Sequence, residues 1–151
     1  MQQAIQATGA VRNGNASWQL PRALRLQRVR ETLAVLPYLG GGAKLTLHLT
    51  DVTPKLIILA IIDGGNHLFM NITREDDQRS INTAALCQVL TDYRDIILSD
   101  VFIGRQEGFQ DALAPDLSRL AEELQPLKPI HLSSAKRAIE QFIAGLDRFM
   151  E

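Results

Sequence analysis

Ala43-Lys44-Leu45-Thr46-Leu47-His48-Leu49-Thr50-Asp51-Val52-Thr53-Pro54-Lys55-Leu56-Ile57-Ile58-Leu59-Ala60-Ile61-Ile62-Asp63-Gly64-Gly65-Asn66-His67-Leu68-Phe69-Met70-Asn71-Ile72-Thr73 is the stretch that decides the fold class. Its first eight residues alternate: Leu45, Leu47 and Leu49 fall on one side and Lys44, Thr46, His48 and Thr50 on the other, the period of two of a half-buried strand. After Lys55 the run from Leu56 to Ile62 is apolar on both faces, and its β-branched content and short length favour a strand in the middle of a sheet over a helix. Asp63-Gly64-Gly65-Asn66 supplies residues that accept positive φ in a tight hairpin, after which Leu68, Met70 and Ile72 resume the alternation. Asp51-Val52-Thr53-Pro54 turns the first strand into the second. The expectation is an α+β fold with an antiparallel β-meander sheet.

Helical patterns flank this core. Pro21 suits the first turn of a helix in which Leu26, Val29, Leu33 and Leu36 recur at three- and four-residue spacing, and Pro37 and Gly40-Gly41-Gly42 stop it. Ser80 is a plausible N-cap for a second helix reaching Tyr93, with Ile81, Ala85, Leu86, Val89 and Leu90 inward. Residues Ile96 to Ile103 suggest a further strand closed by Gly104, with Asp100 on an exposed polar side. Pro115 opens another helix carrying Leu117, Leu120, Ala121 and Leu124, which Pro126 and Pro129 terminate. A final helix begins at Ser133 or Ser134 and carries the strongest apolar stripe of the chain: Ala135, Ala138, Ile139, Phe142, Ile143, Leu146, Phe149 and Met150. N-terminal, middle and C-terminal helices are thus expected to pack the sheet. Residues 1–19, rich in Gln, Asn, Gly and Ala, read as a flexible arm, and residues 20–151 as a single domain.

A chain of 151 residues can bury one real core, and a hydrophobic fraction of 46% with 22% charged residues is ordinary for a globular protein. No stretch approaches the roughly 20 apolar residues of a membrane helix, and no basic-then-apolar leader is visible, so a cytoplasmic location is expected. Cys87 is the only cysteine, which rules out an internal disulfide and a cysteine-based zinc cluster. Charge is unevenly spread. Residues 1–44 carry Arg12, Arg22, Arg25, Arg28, Arg30 and Lys44 against Glu31, a net +5, whereas residues 45–151 carry ten basic and sixteen acidic side chains, a net −6. The first helix should therefore fold back on an acidic body or meet an acidic partner.

Few residues invite chemistry. Gly40-Gly41-Gly42-Ala43-Lys44 follows a helix and precedes a strand, the reverse of the strand, loop, helix order of a phosphate cradle, and reads as a helix stop. His48 and His67 could approach across the meander, but His131 has no spacing to either that makes a metal site. Cys87 lies mid-helix among Leu86, Val89 and Leu90, the setting of an inert thiol, and no nucleophile elbow is present. Glu75-Asp76-Asp77, with Asp63 and Asp100, is the one acidic grouping able to hold magnesium, and a metal-dependent enzyme using Asp63, Glu75, Asp76 and Asp100 is one alternative. A solvated turn explains these residues without it. Arg22, Arg25 and Arg28 share one helix face and could grip phosphates, giving a nucleic-acid adaptor as another alternative, against which stand a pI near 6.3 and scarce aromatics.

The order of one helix, three antiparallel strands, a second helix, a further strand and a C-terminal helix resembles that of the small dimeric chaperones of type III secretion systems, over residues 22–104 and 134–150. The resemblance implies a cytoplasmic homodimer that binds an extended segment of another protein without nucleotide or other cofactor. The leading expectation is a non-enzymatic protein-binding module, a homodimeric secretion chaperone or adaptor. Its candidate partner-binding residues are Arg22, Arg25 and Arg28 on the first helix, Lys44, Thr46 and His48 on the outer side of the first strand, and Phe149 and Met150 at the end of the last helix. A two-fold interface would bury Ala135, Ala138, Phe149 and Met150; the alternative is that another helix of the same chain covers them.

Overall fold

The computed structural model describes residues 9–13, 17–40, 51–73 and 81–150. Expectations that fall on residues 43–50, with Lys44, Thr46 and His48, and on Glu75-Asp76-Asp77 lie outside them. The described chain is α+β. Two short strands, β1 (Val11–Asn13) and β2 (Ser17–Gln19), pair antiparallel ahead of helix α1 (Arg22–Val35), which a 3-10 turn at Leu36–Tyr38 with Pro37 ends. There follow β3 (Leu56–Leu59), α2 (Thr83–Asp92), β4 (Val101–Arg105), α3 (Ala114–Leu124), β5 (Ile130–Ser133) and α4 (Ala135–Gly145).

The sheet is mixed, in the order β3-β4-β5, with β3 antiparallel and β5 parallel to β4; an antiparallel meander is not what the described residues form. The run beginning at Leu56 is accordingly not the central strand among them. That place belongs to β4, where Val101 and Ile103 are buried to 0% and 1% exposure. The glycine turn after Ile62 does not return a strand onto β3 either: Gly64 takes a positive φ of 122°, residues 68–71 form a turn, and Thr73 bridges Ile81. Alternation fixes which side of a strand is inward and leaves its partner open. Leu56 finds its partner at Arg105, far along the chain.

The expected strand from Ile96 to Ile103 is interrupted. Leu59 pairs with Phe102, but Ile62 already faces Ile97, so two residues on one strand oppose four on the other in a bulge. Ser99 fills it. Only 4% exposed, its hydroxyl accepts from the Ile61 amide at 2.8 Å and donates to the Asp100 carbonyl at 2.7 Å, so the polar atoms that the bulge leaves off the ladder are satisfied. Gly104 lies inside β4 and does not end it.

Helices cover both faces. Val101 and Ile103 of β4 point to α2 and α3, joining Leu86, Leu90, Leu117, Leu120 and Leu124 in the larger buried cluster. Phe102 points the other way, to Leu26 of α1 and Phe142 of α4. Gly104 shares that second face, where a Cβ would stand 2.5 Å from Ala135 Cα and 2.8 Å from Ala138 Cβ; glycine is what lets α4 approach the sheet so closely. Two of the helices, α2 and α4, have side-chain N-caps. Asn82, rather than Ser80, caps α2 by accepting from the Ala85 amide at 3.1 Å, and Ser134 caps α4 by accepting from the Arg137 amide at 3.3 Å. No helix among the described residues is long and apolar enough to cross a membrane.

Candidate functional site

Because β4 and β5 run parallel, their carboxyl ends, Arg105 and Ser133, come side by side, and the chain leaves both strands toward helix N-termini, those of α3 and α4. Crevices outside the carboxyl ends of parallel strands are where open sheets bind ligands. Here the crevice is a cleft of about 550 Å³. Ile103, Ala114, Leu117 and Leu132 make its apolar part, and Arg105, Glu107, Asp111, Ser118, Ser133 and Ser134 its polar part. Its volume falls within the range of ligand clefts, and its lining is more polar than theirs commonly is.

One wall is a loop built around Arg105. Its side chain, 18% exposed, pairs with Asp111 and donates to the carbonyls of Phe109 at 2.9 Å and Gln106 at 3.1 Å. Asp111 also accepts from the Gly108 amide at 3.1 Å, and Gly108 needs its glycine because φ is +84°. The guanidinium and then the Gly108 amide hold the Asp111 carboxyl below the usual carboxylate range. The Gln106 amide ties the loop to β3 through the Lys55 carbonyl at 2.8 Å.

The other wall continues into β5, which has no further strand beyond it among the described residues. Ile130 is buried under α3. Leu132, two residues on and on the same side, is 39% exposed and reaches the cleft. On the opposite side His131 stacks on Phe102, with ring centroids 4.9 Å apart, and meets Asp100 at 2.8 Å, so Asp100, its side chain exposed as expected, also links the start of β4 to β5. An open edge is a template for another chain; the shortness of β5 and Pro129 at its entrance are the usual restraints on it.

The residues singled out from sequence sit elsewhere. Arg22 donates to the Met150 carbonyl and, at 2.6 Å, to the Asp147 carbonyl, Arg30 pairs with the Asp147 carboxylate, and Arg25 donates to the Leu20 carbonyl at 3.1 Å. The basic helix thus folds back on the C-terminal end of α4, where exposed carbonyls and a carboxylate are negative. Arg28 lies on its exposed face. Ala135 and Ala138 pack on Gly104 of the sheet rather than under another helix, whereas Met150 joins the Leu26 cluster of α1. Phe149 borders a small apolar hollow with Leu98, Phe102 and Phe142. Asp63 is exposed in its turn and Asp100 is with His131, and no group of three metal-type side chains exists among the described residues. Cys87 is half-buried on α2. Sequence reasoning did not single out Arg105, Glu107 or Leu132, and it took Ser133, which ends β5, only as a possible start of the last helix. The available signal was the short alternation Ile130-His131-Leu132-Ser133 between Pro129 and the capping Ser134. No protein-family model, no curated protein and no solved structure matches this chain.

Proposed function

We propose that this chain is a non-enzymatic protein-binding module, a chaperone or adaptor whose ligand is an extended segment of another protein laid along β5 and into the adjoining cleft. The observation that carries the reading is that the outer strand β5 exposes Leu132 beside an apolar-floored cleft of about 550 Å³. A segment added to such an edge gains main-chain hydrogen bonds from the strand and specificity from every second side chain, which falls into the pocket. Neither of the histidines among the described residues, His67 and His131, lines the cleft. The test is selection from a displayed library of random linear peptides, followed by amide hydrogen exchange. Selected peptides should slow exchange at residues 130–133 and lose binding to Leu132→Lys. Peptides that bind Leu132→Lys as well as wild type, or no selection at all, would remove the reading.

A further inference from the structure

The charge around the cleft points to the chemistry of the segment. Arg105 is turned onto its own loop, to Asp111, Phe109 and Gln106, and Asp111 is turned onto Arg105 and the Gly108 amide, so these two charges are engaged within the wall. Glu107 lines the same cleft, is exposed, and among the described residues forms no ion pair. The surrounding stretch from Arg105 to Leu124 is itself acidic, with Glu107, Asp111, Asp116, Glu122 and Glu123 against Arg105 and Arg119. Lys136 shares a neighbouring hollow with Glu107 but does not line the cleft, and its ammonium is engaged over the Tyr38 ring at 5.5 Å and 3.7 Å from Glu140. The unanswered charge in the cleft is therefore negative, set beside the exposed aliphatic side chain of Leu132.

We propose that the segment taken up along β5 carries an aliphatic residue that packs on the exposed Leu132 side chain, with a lysine or arginine beside it that pairs with Glu107, an inference that rests on the peptide-binding reading above. Opposite charges across an interface select partners and register more than they add affinity. The signature is thus a preference among segments. Selection of random linear peptides on wild type should enrich Lys or Arg next to an aliphatic residue. Selection on Glu107→Lys, an exposed substitution that should leave the melting temperature unchanged, should shift that position to Asp or Glu. A basic peptide selected on wild type should bind Glu107→Lys more weakly by about twofold to fivefold or more, the size of an exposed ion pair, and the difference should shrink as salt rises. Enrichment of aliphatic residues with no charge preference, or a basic preference that survives Glu107→Lys, would overturn the charge assignment and leave the edge-binding reading standing. Binding unaffected by Leu132→Lys would overturn both.

Discussion

Among the described residues, one face of the sheet meets α2 and α3 across a continuous cluster of twelve buried hydrophobic residues, whereas the cluster under α1 and α4 on the other face holds three, Leu26, Phe142 and Leu146. The smaller cluster is supplemented by other means. Gly104 admits α4 to backbone contact, and Arg22 and Arg30 tether α1 to the end of α4. Side-chain volume holds the first face, and close approach with polar stitching holds the second.

Substitutions that bring out this difference run from large to small. Ile103→Asp places an unpaired carboxylate in the larger cluster, a penalty of several kcal/mol against a total stability of about 5–15 kcal/mol, and should abolish the cooperative transition in calorimetry. Ile58→Asp, half-buried on β3, an outer strand among the described residues, should lower the transition temperature less; equal loss from both would mean that β3 is as deeply packed as β4.

On the second face, Gly104→Ala drives a methyl group against Ala135 and Ala138 and should cost about 1–3 kcal/mol in denaturant unfolding. Gly145→Ala, in the same helix with open space around it, should be neutral or slightly stabilising. If the two behave alike, close approach is not what seats α4. The double change Arg22→Ala, Arg30→Ala should cost no more than about 1 kcal/mol globally, because the groups are exposed, yet should speed hydrogen exchange in α1 more than in α2. Uniform acceleration would mean that α1 and α2 open together.

The smallest effect concerns the loop beside the cleft. Asp111 has its pKa lowered in the fold, so its contribution is complete above the ordinary carboxylate value near 4 and is lost as pH falls through the lower folded value. The stability difference between wild type and Asp111→Asn should be greatest near neutral pH and vanish in strong acid. A constant difference would show that the Asp111 charge does not matter to the loop.

The helices were legible in sequence because each carries its own evidence: an apolar stripe, a proline near its start, or a capping serine such as Ser134. The sheet was legible only in part. The apolar run at Leu56–Leu59 announces a strand, but its partner β4 is chosen by long-range burial that no local pattern encodes. The following Asp63-Gly64-Gly65-Asn66 sequence suits a hairpin, yet the tertiary pairing with Ile97 prevails. Strand β5 escaped notice because four residues, half of them exposed and one a histidine, give almost no periodic signal, and with it the cleft was missed. The arginine stripe was visible as a stripe. That Arg22 and Arg30 serve the chain's own C-terminal helix follows only from the placement of Asp147 and Met150.

The Arg22 tether also sets a timetable for folding. Arg22 and Asp147 are 125 residues apart, so on a ribosome working at about 5–20 residues per second α1 waits roughly 6–25 s for the helix that covers it. Throughout that interval Leu26, Val29 and Leu33 lack the cover of Phe142 and Leu146, a window in which a nascent-chain chaperone would engage the protein and in which slower translation downstream would favour aggregation.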